Sequence, residues 1–256
     1  MTTTPSNRSI HDHTNLSETA QTDTIQPEPL QTEPLQTESV QTTEQPVAPI
    51  LVRPAEACDA PAVCEILVEA FPTLYEWTFG KLPRAEMVAL LHHLYEAGCL
   101  DLSTTRIAHQ GGPVIGIALL HLRGRVGHGP VRRYGRTIFR QLNLFSGLRA
   151  FFGGIMTNLM LSSRIPYADD LVYIEALAVA SSERNRGVGQ ALLNDAIQWA
   201  GEQRRPRLAL HVLQRNEGAR RLYTRFGFVL TPPEPLAAPP DSKRGQWVSL
   251  LMMRDP

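Results

Sequence analysis

Apolar residues in this chain fall into runs whose spacing alternates between strand and helix periods. Order begins at Ile50-Leu51-Val52-Arg53-Pro54, which reads as a short strand. Asp59 with Pro61 close behind marks a helix start, and Val63, Ile66, Leu67 and Ala70 give that helix its buried stripe, up to Phe71-Pro72. Ala85 to Ala97 repeats the helical period through Met87, Leu90, Leu91 and Leu94, with Gly98 as its stop. Thr105 to Gln110 and Val114 to Arg123 predict a hairpin turned at Gly111-Gly112. Leu171 to Val179 is apolar and β-branched, as a buried strand is. Beyond it Val188, Leu192, Leu193 and Ile197 recur at helical spacing, with Trp199 and Ala200 closing the same face. A strand over Leu208 to Val212 and another helix follow, then strands at Phe228 to Thr231 and Trp247 to Met253 joined by a proline-rich loop. This order predicts one α/β domain with a mixed sheet over residues 49–256.

Two segments break the pattern. Residues 1–48 are rich in Thr, Gln, Glu and Pro, with a five-residue echo in Gln31-Thr32-Glu33-Pro34-Leu35 and Gln36-Thr37-Glu38-Ser39-Val40. That period fits neither helix nor strand, and so little apolar surface cannot offset the entropy of ordering, so a disordered tail is expected. Its charges are acidic (Asp12, Glu18, Asp23, Glu28, Glu33, Glu38, Glu44) against Arg8 alone. The second segment, 124–170, is basic and apolar. From Leu102 through Ala168 there is no acidic residue, while Arg123, Arg125, Arg132, Arg133, Arg136, Arg140, Arg149 and Arg164 fall in or beside it. Ile138, Leu142, Leu144, Phe145, Leu148, Phe151, Phe152, Ile155, Met156, Leu159 and Met160 make it too apolar for disorder. One or two amphipathic helices are expected there, as a lid, a homodimer contact or an element lying on an anionic surface. Spanning a membrane is disfavoured, because Arg149 sits mid-run and a central arginine costs about 2.5–3.5 kcal/mol. The segregation of charge leaves two readings of the tail, a weak salt-screened contact with the insertion or a solvating linker.

Net charge is zero and excludes little. No apolar leader follows Met1, and Cys58, Cys64 and Cys99 show neither an even framework nor metal spacing, so free thiols in a reducing, cytoplasmic setting are expected. His92-His93 reads as a solvated helix face, with no carboxylate or cysteine at ligand spacing, and no metal is expected.

The chemistry concentrates in Arg184-Asn185-Arg186-Gly187-Val188-Gly189-Gln190, between a predicted strand and a predicted helix. Such a turn aims free N–H groups at one point where the helix dipole is positive, and two glycines admit a ligand close to the backbone. The stretch predicts a phosphate cradle, with an exposed tight turn as the plainer alternative. It lacks the three glycines of a dinucleotide fold and the Gly-Lys-Ser/Thr ending of a triphosphate loop.

A second segment adds context. The run Gln214-Arg215-Asn216-Glu217-Gly218-Ala219-Arg220-Arg221-Leu222-Tyr223-Thr224-Arg225-Phe226-Gly227-Phe228 resembles the later signature of the GCN5-related N-acetyltransferase superfamily, Asn-x-x-Ala-x-x-Leu-Tyr-x-x-x-Gly-Phe. The earlier turn resembles that family's acetyl-coenzyme A loop, Arg/Gln-x-x-Gly-x-Gly/Ala. The resemblance implies a single domain with a mostly antiparallel sheet flanked by helices, acetyl-CoA as co-substrate, and direct attack by a primary amine. It also implies that the backbone of Leu177-Ala178-Val179 splays from the next strand and binds the pantetheine arm, with the Val179 N–H on the thioester carbonyl. Tyr223 matches the tyrosine that protonates the leaving thiolate, or packs as a core tyrosine. Asn216 matches an asparagine near the coenzyme arm, or simply caps its helix. Tyr173, Glu175 and His211 are the candidate bases; in a regular strand Tyr173 and Glu175 share a face. Tyr75, Trp77 and Phe79 line the acceptor pocket or cover the core. The other reading of the whole chain is a non-catalytic acyl-CoA sensor, and the acceptor amine is left open.

Overall fold

A strand begins where the chain alternates and stops at proline: β1 (Leu51–Pro54) opens the structure, a computed structural model that describes residues 48–100, 102–122, 131–162, 168–231 and 249–256. The tail before Ala48, Arg123, Arg125, Arg164 and the proline-rich loop before Ser249 lie outside the described residues. A 3₁₀ turn at Ala57–Asp59 leads into α1 (Ala60–Ala70), with Pro61 in its first turn where no N–H is needed. Asp59 is buried and takes a two-pronged bond from Arg53, at 2.7 and 2.9 Å, and the Glu56 N–H at 2.8 Å, which ties β1 to the start of α1. The stretch carrying Tyr75, Trp77 and Phe79 is itself helical, α2 (Pro72–Phe79), followed by α3 (Arg84–Glu96). The hairpin forms as β2 (Thr105–His109) and β3 (Val114–Leu122).

The insertion folds as α4 (Val131–Gln141) and α5 (Leu144–Ser162). Then come β4 (Leu171–Val179), a 3₁₀ turn at Ser181–Glu183, α6 (Val188–Glu202), β5 (Arg207–Leu213), α7 (Glu217–Arg225), β6 (Val229–Leu230) and β7 (Ser249–Arg254). The strands form one sheet in the order β1-β2-β3-β4-β5-β7-β6, antiparallel throughout except for the β4–β5 pair.

Side-chain alternation divides the core between the two faces of this sheet. Val172, Ile174, Leu208, Leu210 and Val212 face α6 and α7, where they pack with Val188, Leu192, Leu193, Tyr223 and Phe228. Arg106 on β2 grips Asp195 of α6 through two bonds at 2.6 and 2.7 Å and fixes that helix on the sheet. The opposite face carries Ile107, Ile117, Ala176 and Ala178 against α1. A separate apolar cluster joins α1, α2 and α3 to Tyr134, Ile138 and Ala150 of the insertion helices. Cys64 and Cys99 are buried free thiols in that cluster, and Cys58 is exposed.

Candidate active site

Among the described residues the sheet opens between β4 and β5. β4 and β5 are in register only from Leu171↔Arg207 to Ile174↔Leu210. Beyond that point β4 continues to Val179 against β3 alone, and β5 continues to Leu213 against β7. The Ala180 N–H donates to Ile115 at 3.0 Å. Since bonded residues alternate along an antiparallel pair, Ala178 is committed to β3, and Leu177 and Val179 turn their N–H and C=O groups toward the opening. The Val179 carbonyl accepts from Arg184 Nε at 3.3 Å, as that direction requires.

At this mouth the turn into α6 takes its shape from two left-handed residues, Asn185 (φ 62°) and Gly187 (φ 86°). Gly187 is the N-cap of α6, and its carbonyl accepts the N–H groups of Gln190 and Ala191, both at 3.0 Å. The first N–H groups of a helix have no partner within it, so those of Val188 and Gly189 are presented outward with the positive end of the dipole. Arg186 is held by Glu183 at 2.6 Å. Glu69 of α1 steadies the approach by accepting the Ser181 N–H at 2.7 Å, and the Ser181 bonds and Arg84 hold its carboxyl below the usual range. A Cβ placed on Gly189 would meet Leu222 of α7 at 3.4 Å, Leu177 at 3.7 Å and Val179 at 3.9 Å, so helix, strand and signature segment converge at that residue.

Asn216 caps α7, its side chain accepting the Ala219 N–H at 3.1 Å. Tyr223, one residue beyond Leu222, is buried beside Phe228 with ring centres 5.9 Å apart. Removal from water pushes its phenol up to about 12.

The candidate bases gather on the opposite face of the sheet. β3 and β4 slip by one residue, so Leu119 faces Ala176, Leu120 faces Ile174, and Glu175 is left as the extra residue of a bulge. The strand is therefore not regular where regularity was assumed, yet Glu175 does reach the Tyr173 face. It bonds Nε2 of His121, which stands directly opposite Tyr173 in the register. The Tyr173 hydroxyl and His211 Nδ1 are 2.9 Å apart. Burial, then the nearby Glu175 carboxylate, raises the Tyr173 phenol above its ordinary value. Burial, then the charges of Glu175 and Cys64, likewise raises the phenol of Tyr75 on α2. Tyr75 and Phe79 stack at 6.2 Å and both pack on the apolar cluster of α1, α2 and α3, while Trp77 is half-buried on α2.

His121 was missed in the sequence. Its only signal was a lone imidazole inside the apolar run of β3, and its value depends on a register that the sequence does not display. His92 and His93 lie where expected on α3, but Glu96, four and three residues on, does reach them, at 3.9 and 3.1 Å.

Comparison with known proteins agrees with this geometry. Residues 150–228, from the middle of α5 to the end of the signature segment, match the acetyltransferase (GNAT) family. No curated protein matches the chain by sequence. Among solved structures, an N-acetyltransferase from Staphylococcus aureus Mu50 superposes with a TM-score of 0.54 at 15% identity, over 79% of this chain and 99% of its own. Another acetyltransferase superposes with a TM-score of 0.51 at 18% identity, over 80% of this chain and 98% of its own. The family match over residues 150–228, the shared fold and the two motifs in their strand and helix settings point the same way: over that segment the chain is similar to the acetyltransferase (GNAT) family, and it has that family's fold.

Proposed function

We propose that this protein is an acetyl-CoA-dependent N-acetyltransferase in which a primary amine attacks the thioester directly in a ternary complex. The observation that carries the reading is the end of β4–β5 pairing at Ile174 and Leu210, with α6 presenting its N-terminus at that opening and acid–base side chains on the other face. The residues present suit the coenzyme. The outward N–H groups of Val188 and Gly189, with Arg184 and Arg186, fit a pyrophosphate. The inward-turned backbone of Leu177 and Val179 fits an amide-bearing arm. Acetyl-CoA supplies the activated acetyl group.

The chain supplies the proton traffic. An amine is mostly protonated at neutral pH and must lose a proton to attack. Glu175, aimed by the bulge and held by His121, receives it. Tyr173 keeps its own proton because burial raises its phenol, and its hydroxyl shares a hydrogen bond with His211 Nδ1. We assign the base to Glu175, which the bulge sets where β4 leaves β5, and read the Tyr173–His211 pair as a positioning element. Tyr223, packed in the core between the sheet, α6 and α7, is the donor to the departing sulfur. Direct attack is favoured over an acyl-enzyme because Cys64, beside Tyr75, is buried with its thiol pushed up to about 12.

The test is thiol release from acetyl-CoA against a panel of small amines, polyamines and peptides with free N-termini. Turnover with at least one class is expected, and Glu175→Gln should lower it ~10²–10⁴-fold while leaving coenzyme affinity unchanged. Coenzyme binding without turnover across the panel would leave an acyl-CoA sensor, and absence of coenzyme binding would overturn the reading.

A further inference from the structure

The two insertion helices turn an unusual surface outward. On α5 the residues turned inward are Gly147, Ala150, Gly153, Gly154 and Thr157, all small, together with one large ring, Phe151, which packs on Tyr134 of α4. A Cβ on Gly154 would overlap the Tyr134 hydroxyl and one on Gly153 the Thr78 carbonyl, so this face is cut to fit closely. The Thr157 and Thr78 hydroxyls bond at 2.9 Å and lock α5 onto α2. The other large residues point the other way. Phe145, Leu148, Phe152, Ile155, Met156 and Leu159 recur at helical spacing and are all exposed, Phe145 at 83%, Phe152 at 64% and Leu159 at 63%. A surface helix ordinarily shows its polar face to water, and contiguous apolar surface of this kind marks a contact.

The neighbouring helix presents the opposite chemistry. On α4, Tyr134 and Ile138 are buried, while Arg132, Arg136 and Arg140, four residues apart, are exposed along one line. No acidic residue occurs from Leu102 to Ala168, so nothing in this segment neutralises them.

We propose that the α4–α5 face docks on an anionic phospholipid surface, with the α5 stripe entering the headgroup boundary and the α4 arginines on lipid phosphates. An apolar helix face flanked by arginines matches both layers of such a surface. A second copy fits less well, because a two-fold contact sets the same patch against itself and would oppose the two arginine rows with no acid between them. Among the described residues no helix is long and apolar enough to cross a membrane, so the contact lies in the plane of the surface.

The experiment is flotation of the full chain with phosphatidylcholine vesicles, with and without about 30% phosphatidylserine. Binding is expected only with the anionic lipid and should weaken as salt rises. The double variant Phe145→Ser/Phe152→Ser should lower partitioning by at least about tenfold, since burial of one phenyl ring is alone sufficient for that. The triple variant Arg132→Gln/Arg136→Gln/Arg140→Gln should lower it roughly 100-fold. Both sets of side chains are exposed, so thermal unfolding midpoints should stay put, separating lost docking from lost fold. A wild-type chain that stays in solution with both kinds of vesicle overturns the proposal. So does a dimer that binds no vesicle and is split by the phenylalanine substitutions, which would assign the face to a second copy.

Discussion

Tyr223→Phe removes one hydroxyl from a side chain only 7% exposed, and the structure limits how much that hydroxyl can contribute. Burial pushes the phenol up to about 12. A thiol titrates near 8.5, so complete transfer of the proton to a thiolate runs uphill by roughly 3.5 powers of ten, about 5 kcal/mol. Full donation from this site is therefore a poor way to lower the barrier. A hydrogen bond to sulfur as it gains charge is a better one, and bonds to charged groups contribute about 1.5–3 kcal/mol. Converted to rate, that is roughly 10- to 150-fold. Turnover of Tyr223→Phe should fall by that factor, with acetyl-CoA affinity within about twofold of the parent, because the ring and its packing on Phe228 remain. The assay is thiol release measured from about pH 6 to pH 10, a range in which a phenol at about 12 stays protonated. Parent and variant profiles should then share one shape and differ by a constant. A loss well beyond ~10³-fold, or an alkaline limb in the parent that the variant lacks, would refute the argument that burial controls this phenol.

Two further outcomes test the frame around the site. Gly187→Ala has room for its Cβ, the nearest atoms being Ile50 Cδ1 at 3.9 Å and Gln190 Oε1 at 4.0 Å, so its cost is the left-handed backbone alone, about 1–2 kcal/mol. Calorimetric titration should show acetyl-CoA affinity weakened roughly 5- to 30-fold, and unchanged affinity would remove the cradle. Asp59 is held below its ordinary value chiefly by the Arg53 bond, so it stabilises the fold above its unfolded pKa of about 3.9 and loses that contribution as pH falls through the depressed folded value. Urea unfolding of Asp59→Asn should cost about 1–3 kcal/mol at neutral pH and show a flatter decline below about pH 4, and a parallel acid decline in both proteins would contradict this.

Most element positions were legible because apolar spacing follows from which face is buried. The β4 strand and the α6 helix lie where period two gives way to period 3.6, and the glycines between them mark the turn. What was hidden depends on pairing. Helix α2 escaped notice because eight residues opening with proline and rich in aromatics carry little helical period. His121 became visible only with the β3–β4 register. The insertion was readable as helical and apolar but not as inverted. Spacing shows that α5 has an apolar face, whereas only its close fit on Thr78 and Tyr134 reveals that the small residues go in with Phe151 while the other large ones go out.

The bulge at Glu175 and the end of β4–β5 pairing at Ile174 are adjacent in the chain, and one physical cause connects them. An extra residue in one strand leaves its own backbone unpaired, bends the strand and increases its twist. β4 is held on one side by β3 from Val172 to Val179, so a bend at Glu175 carries its far half away from β5. The same insertion shifts side-chain alternation, which is why Ile174 and Leu177, three apart, both face α6. A single added residue thus opens the sheet, frees the Leu177 and Val179 backbone toward the opening, and delivers a carboxylate to the other face at the same level. In a regular β4 the strand would remain paired to β5 and the turn into α6 would face a closed sheet. The catalytic reading therefore rests less on any one side chain than on this local irregularity, which composition and periodicity do not encode.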